Sequence, residues 1–184
     1  MQFSCIILAG GLGKRAGGAD KGLILYKNRP LIEHVIDAVS PQVDDIIISA
    51  NRNTETYKKY TSSVITDESP EYRGPLAGIA ACLPYCKHEH ALIVACDTPA
   101  LPANLVERLA ADIHNNSIDI ATVGGHHQLA MIVSKDLVDS IKQQLGKNQL
   151  KLIQWVKSVN YSPVSFDDNP EAFVNLNELA NPRT

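Results

Sequence analysis

The chain has 184 residues, a length at which folding removes about 70% of the extended chain's surface, so a core forms without disulfide or metal staples. Composition is 45% hydrophobic and 20% charged, which excludes a disordered or fibrous chain. A net charge of −3 excludes nucleic acid as the main partner, since phosphate-backbone binding needs a basic surface, and any phosphate site must be local.

Phe3 to Leu8 is an apolar run that predicts a strand buried on both faces. After a glycine-rich stretch, Pro30 opens a predicted helix with Leu31, Ile32, Val35, Ile36 and Val39 on one stripe. Asp45 to Ala50 predicts a second buried strand, Thr54 to Tyr60 a short helix, and Val64 to Thr66 a third strand. Leu76 to Leu83 is a helix of small residues, and His90 to Ala95 a fourth strand. A helix follows from Pro102 to about Ala111, then strands at Asp119–Val123 and Leu129–Val133. Asp136 to Leu145 places Leu137, Val138, Ile141 and Leu145 on one helical face, Leu150 to Lys157 is a further helix, and Tyr161 to Phe166 a last strand. Strands alternating with helices predict one three-layer α/β/α domain, Rossmann-like, with a mainly parallel central sheet spanning residues 1–184.

Cys5, Cys82, Cys86 and Cys96 are scattered, without a Cys-x-x-Cys pair, and are expected to be reduced, mostly buried thiols. Zinc on Cys82, Cys86, His88 and His90 is the sharper alternative, but the spacing fits no standard zinc pattern. The run from Phe3 to Leu8 is too short for a signal core, and nothing approaches the ~20 apolar residues of a membrane span. A soluble, cytoplasmic protein is expected.

In such sheets ligands gather beyond the carboxyl ends of the strands, so the segments after Leu8, Ile48, Thr66 and Ala95 carry the information. Leu8 to Gly22 holds six glycines and three cations. Glycines let the backbone approach a polyphosphate, and the cations neutralise its charge. No Gly-Lys-Ser/Thr closes the loop, so it is not a Walker A motif. Gly11-x-Gly13-x-x-Ala16 is a variant of the dinucleotide fingerprint, yet the second strand ends Ser49-Ala50-Asn51-Arg52-Asn53 where that reading needs an acid. A phosphate loop ranks first, a flexible surface loop second and a dinucleotide fold third.

The amides after the second strand can bond a base or ribose edge, or cap the next helix. Asp67 precedes Gly74-Pro75-Leu76-Ala77-Gly78, glycines that either admit a ligand at a helix N-terminus or pack that helix on the sheet. Asp97, in Ala95-Cys96-Asp97-Thr98-Pro99, is a carboxylate directly after an apolar strand and suits a divalent cation, the alternative being a turn cap before Pro99. Asn175 and Asn177 point the same way if their segment is extended.

Together these residues resemble the molybdenum cofactor guanylyltransferase family. The resemblance rests on Leu8-Ala9-Gly10-Gly11, Arg15, Gly17-Gly18, Asp20-Lys21-Gly22, Ser49-Ala50-Asn51-Arg52, Gly74-Pro75-Leu76-Ala77-Gly78, Cys96-Asp97-Thr98-Pro99 and Asn175-x-Asn177, and so covers nearly the whole chain. It implies transfer of GMP from GTP to the terminal phosphate of molybdenum-bearing molybdopterin, with release of pyrophosphate and dependence on Mg²⁺. By similarity Leu8, Ala9, Gly10 and Gly11 line the GTP pocket with Ser49, Asn51 and Gly78, and Lys21 meets the phosphates. Asp67 contacts the nucleotide, Asp97 binds Mg²⁺ and GTP, and Arg15, Asn175 and Asn177 sit at the reaction centre. The N-terminal part would hold GTP and the C-terminal third the pterin, delivered by a partner protein and passed on to molybdoenzyme chaperones.

This chain departs from the family at Ala16, where relatives carry Met, and at His127-Gln128-Leu129-Ala130, which lacks a Pro. Further departures are Leu150-Lys151, in place of a basic pair, and Glu178-Leu179, where Thr-Pro-Glu usually follows the asparagines. All but the first fall in the part expected to hold the pterin. The rival functions are a CTP-dependent molybdopterin cytidylyltransferase, a sugar-phosphate guanylyltransferase, and a non-catalytic GTP- or pterin-binding sensor or carrier.

Overall fold

The computed structural model describes residues 1–11, 20–67, 73–113 and 117–175. In chain order the elements are β1 (Ser4–Leu8), β2 (Leu25–Tyr26), β3 (Arg29–Pro30), α1 (Leu31–Val39), β4 (Asp45–Ser49), α2 (Thr54–Tyr57) and β5 (Val64–Ile65). There follow α3 (Pro75–Cys82), β6 (His90–Ala95), α4 (Leu105–Leu109), β7 (Ile118–Val123), β8 (His126–Ser134), α5 (Val138–Gly146), α6 (Leu152–Val156) and β9 (Tyr161–Ser165).

Seven strands form one sheet in the order β5-β4-β1-β6-β8-β7-β9. β1 runs parallel to β4 and β6, β4 to β5, and β7 to β9. β8 runs against its neighbours, paired antiparallel to both β6 and β7. The reason is local. Gly124 (φ 55°) and Gly125 (φ 74°) form a two-residue turn between β7 and β8, and a connection that short permits only an antiparallel pair. The turn also lets β8 begin at His126, three residues before the apolar run that announces it.

The side-chain alternation of the strands sorts the core into two layers. Cys5, Ile7, Leu92 and Val94 face α1 and α4, where Ile32, Val35, Val39, Leu105 and Leu109 are buried with Phe166 and Phe173. Ile6, Ile47, Ile93, Met131 and Val133 face the opposite way, onto Leu76, Ile79, Ile141 and Trp155 of α3, α5 and α6. Each fully buried Ile or Leu contributes about 1.5–3 kcal/mol, so both faces are needed to hold the sheet. The three-layer, mainly parallel architecture expected from the sequence is the one found.

Several elements differ in extent. α4 covers Leu105–Leu109 where a helix over 102–111 was expected, and α2 is a single turn. The β2–β3 hairpin has no counterpart in the sequence reading; Lys27 (φ 47°) and Asn28 (φ 63°) make its turn. No helix among the described residues is long and apolar enough to cross a membrane.

The chain runs outward from β1 to β4 and β5, then returns to place β6 on the other side of β1. That reversal makes the carboxyl ends of β1 and β6 the topological switch point, where open α/β sheets bind ligands.

Candidate active site

The strand ladder continues one residue past the carboxyl ends. Ala9 N–H donates to the Ser49 carbonyl (2.8 Å), Ala50 to Ile65 (3.0 Å) and Cys96 to Leu8 (3.2 Å). The loops after β1, β4, β5 and β6 therefore leave the sheet side by side. Gly10 stands against Asn51: a Cβ there would lie 3.7 Å from the Ser49 carbonyl oxygen and 3.8 Å from Asn51 Nδ2. At Gly11 the same direction is open, with nothing within 4 Å. A ligand can thus lie directly on this backbone.

Two polar pairs close the mouth. Lys21 Nζ donates to Asp97 Oδ2 at 2.9 Å, joining the end of the glycine-rich stretch to the residue after β6; both groups keep some exposure, 27% and 15%. Asn51 and Asp67 grip each other: Asn51 Nδ2 donates to Asp67 Oδ2 (2.8 Å), and Asp67 N–H donates to Asn51 Oδ1 (3.0 Å). The other carboxylate oxygen, Asp67 Oδ1, is buried with no hydrogen-bond partner among the described residues. A buried orphan acceptor at a cleft is suited to a donor brought by a ligand, such as a ribose hydroxyl or a base N–H.

A third cluster was not anticipated. Asp20 accepts hydrogen bonds from Tyr57 Oη (2.5 Å) and Asn53 Nδ2 (3.0 Å), with Arg52 Nε 3.8 Å from Oδ2. Arg52 Nη2 also donates to the Gly11 carbonyl (3.1 Å), tying the loop after β4 to the loop after β1. Burial first, and then the bond to Asp20, hold the Tyr57 phenol protonated far above its usual range, so its hydroxyl is a permanent donor. In the sequence Asp20 stands out only as part of the Asp20-Lys21-Gly22 motif; nothing local indicates that it meets a tyrosine 37 residues away.

Among the described residues the mouth holds Asp20, Asp67 and Asp97 against the cations Lys21 and Arg52. A polyphosphate entering it needs further positive charge.

A family profile described as the MobA-like NTP transferase domain matches residues 5–159. This chain belongs to the MobA-like NTP transferase family. The molybdenum cofactor guanylyltransferase of Shewanella putrefaciens is 38% identical over 182 residues, covering 97% of this chain and 93% of its own. That of Shewanella sediminis is 39% identical, covering 96% and 92%. Molybdopterin-guanine dinucleotide biosynthesis protein A from Archaeoglobus fulgidus superposes with a TM-score of 0.77 at 21% identity, over 95% of this chain and 92% of that one, which shows the shared fold.

In this MobA-like NTP transferase the structure brings together Leu8, Ala9, Gly10, Gly11, Lys21, Asn51, Asp67 and Asp97 of the residues picked from sequence. Ser49 and Gly78 meet each other beside Leu8, where α3 packs on β1 and β4. Ser49 is buried, and a Cβ on Gly78 would stand 2.5 Å from its hydroxyl oxygen and 3.2 Å from a Leu8 methyl, so Gly78 lets α3 lie tightly on β1 and β4. Asn175 is half-buried beyond Phe173, while Arg15 and Asn177 lie outside the described residues.

The zinc alternative does not survive. His88 is engaged with Asp44 (2.6 Å), Cys86 Sγ lies against the Cys82 carbonyl, and no group of three or more metal-ligating side chains occurs among the described residues. All four cysteines are buried, free thiols. Burial pushes the Cys82 thiol up to about 12 and the Cys86 thiol up to about 11.

Proposed function

We propose that this nucleotidyltransferase moves GMP from GTP to the terminal phosphate of molybdenum-bearing molybdopterin. Its near-full-length relatives named molybdenum cofactor guanylyltransferase support that reaction. The single observation that carries the site is the Lys21–Asp97 pair, 2.9 Å apart at the mouth between β1 and β6.

The acceptor phosphate is already ionised at neutral pH, so no side-chain nucleophile is required. One of its oxygens attacks the α-phosphorus; the bond from that phosphorus to the α,β-bridging oxygen breaks, and pyrophosphate leaves with the electron pair. The protein's part is positioning and charge stabilisation. Gly10 and Gly11 leave room for the nucleotide on their backbone, and Asn51 and Asp67 face its base or ribose, with Asp67 Oδ1 accepting a donor. Lys21 balances charge on the departing phosphates, and Arg15, Asn175 and Asn177 belong to the reaction centre by their match to the family motif.

The donor set fits magnesium. Asp97, partly exposed beside Lys21 at the end of β6, offers a carboxylate to a cation that takes its remaining ligands from phosphates and water. When bound, Mg²⁺ would be held by Asp97 and would neutralise phosphate charge at the reacting centre. We assign the whole chain to one cytoplasmic domain, the N-terminal part for GTP and the C-terminal third for the pterin. A pterin-delivering protein and molybdoenzyme chaperones are its expected partners.

The test is pyrophosphate release with Mg²⁺, molybdenum-loaded molybdopterin and each of the four nucleoside triphosphates in turn. Release confined to GTP is expected. Release with CTP alone would reassign the base, and silence with all four, given an acceptor proven on another enzyme, would overturn the reading.

A further inference from the structure

Lys21 is flanked by two residues that meet the same atom. On its N-terminal side, Asp20 Oδ1 accepts the Tyr57 hydroxyl at 2.5 Å. On its C-terminal side, Gly22 leaves the space into which that hydroxyl projects: a Cβ on Gly22 would overlap Tyr57 Oη. Tyr57 itself is fully buried, in the core layer shared with Ile32, Val35 and Ile48, so its ring is held by packing. The tight turn over Lys21–Leu23 is closed by Leu23 N–H to the Asp20 carbonyl (3.1 Å) and Ile24 N–H to the Lys21 carbonyl (3.2 Å). A long, flexible lysine is thereby carried on a backbone pinned from both sides.

We infer that Tyr57, through Asp20 and Gly22, is a positioning residue that sets Lys21 toward Asp97 and the nucleotide phosphates. The inference rests on the nucleotide role proposed above for Lys21. It goes beyond that role in making the activity depend on a buried phenol that touches no substrate. Asn53 supports the same carboxylate from outside, at 3.0 Å on Oδ2, from a left-handed backbone (φ 52°) that glycine also adopts. Asn53→Gly therefore removes the donor and keeps the turn.

The hydroxyl–carboxylate bond is charge-assisted, and losing it leaves a buried oxygen unpaired. Tyr57→Phe is expected to lower kcat/KM for GTP about tenfold or more, with a smaller loss in Asn53→Gly, where the donor removed is exposed. The decisive readout is a double-mutant cycle with Lys21→Ala, using radiolabelled GTP and single-turnover rates alongside thermal melting. Wild type turning over GTP establishes the parent reading; if wild type is inert, both statements fall together. With an active wild type, Tyr57→Phe should slow the enzyme in the Lys21 background and add nothing further in the Lys21→Ala background. The inference is overturned if Tyr57→Phe only lowers the melting temperature while kcat/KM stays within about twofold of wild type. It is equally overturned if the effects of the two substitutions simply multiply. Should Tyr57→Phe fail to fold, Asn53→Gly carries the same cycle, and an unchanged kcat/KM there refutes the inference.

Discussion

Replacing Asp97 with Asn should separate catalysis from stability, given the proposed role and the place where the carboxylate stands. Its partner Lys21 is 2.9 Å away, and at an effective dielectric constant near 20 the gross attraction of that pair is about 6 kcal/mol. Little of this reaches the folding equilibrium. Both side chains keep contact with water, so desolvation and screening leave a net contribution on the order of 1 kcal/mol, and the amide oxygen of the variant still accepts from the ammonium. For a chain of this size that is a fall in Tm of about 2–4 °C. On the role proposed for Asp97 the catalytic loss should be larger, since the amide removes the charge that would hold Mg²⁺. One missing stabiliser of that kind lowers turnover about 10²–10³-fold, or roughly 3–4 kcal/mol of transition-state stabilisation. The assay pairs GTP-dependent pyrophosphate release with a calorimetric melt on the same preparation. Turnover of Asp97→Asn within about threefold of wild type, in a folded protein, would refute the reasoning.

Gly125→Val places a β-branched residue at φ 74° in the β7–β8 turn and should lower stability by about 1–2 kcal/mol, whereas Gly124→Asn should melt close to wild type; equal melting of Gly125→Val and wild type would count against the turn. Asp168 is held below the usual carboxylate range, first by its hydrogen bond to Arg108. A depressed folded value stabilises above the unfolded pKa of about 3.9 and loses that stabilisation as pH falls through the folded value. The Tm gap between wild type and Asp168→Asn should therefore be steady at neutral pH and close in strong acid; a gap that persists there excludes the pair as its source. With Cys5, Cys82, Cys86 and Cys96 all buried and their thiols pushed up by burial, a thiol reagent at pH 8 should label four groups in denaturant and react only slowly with the native fold. Immediate labelling of one native thiol would contradict that burial.

The strands were legible where burial on both faces erased alternation. Ile6-Ile7 and Ile46-Ile47-Ile48 announce central parallel strands because either face of such a strand meets a helix layer. β8 was harder: His126, His127 and Gln128 are polar or half-exposed, and only the Gly124-Gly125 turn shows that they are paired. α4 was overextended because Pro102 is a sound helix start, yet residues 102–104 are spent on a turn in which Leu105 N–H reaches the Pro102 carbonyl. The β2–β3 hairpin is too short for any periodicity to register.

The site divides in the same way. Residue type and strand period were enough to mark the glycine-rich approach after β1, the carboxylate after β6 and the carboxyl end of the sheet at which such loops gather, while the amide after β4 stayed open between a ligand contact and a helix cap. All of these are local matters. The folded chain was needed to show that Lys21 meets Asp97 across 76 residues, that Asn51 grips Asp67, and that Gly78 serves the packing of Ser49 and Leu8. It was needed also to set Tyr57 beneath Asp20, 37 residues apart. Those contacts follow from strand order, and strand order is settled by the competition of whole buried faces, which no short window of the chain contains.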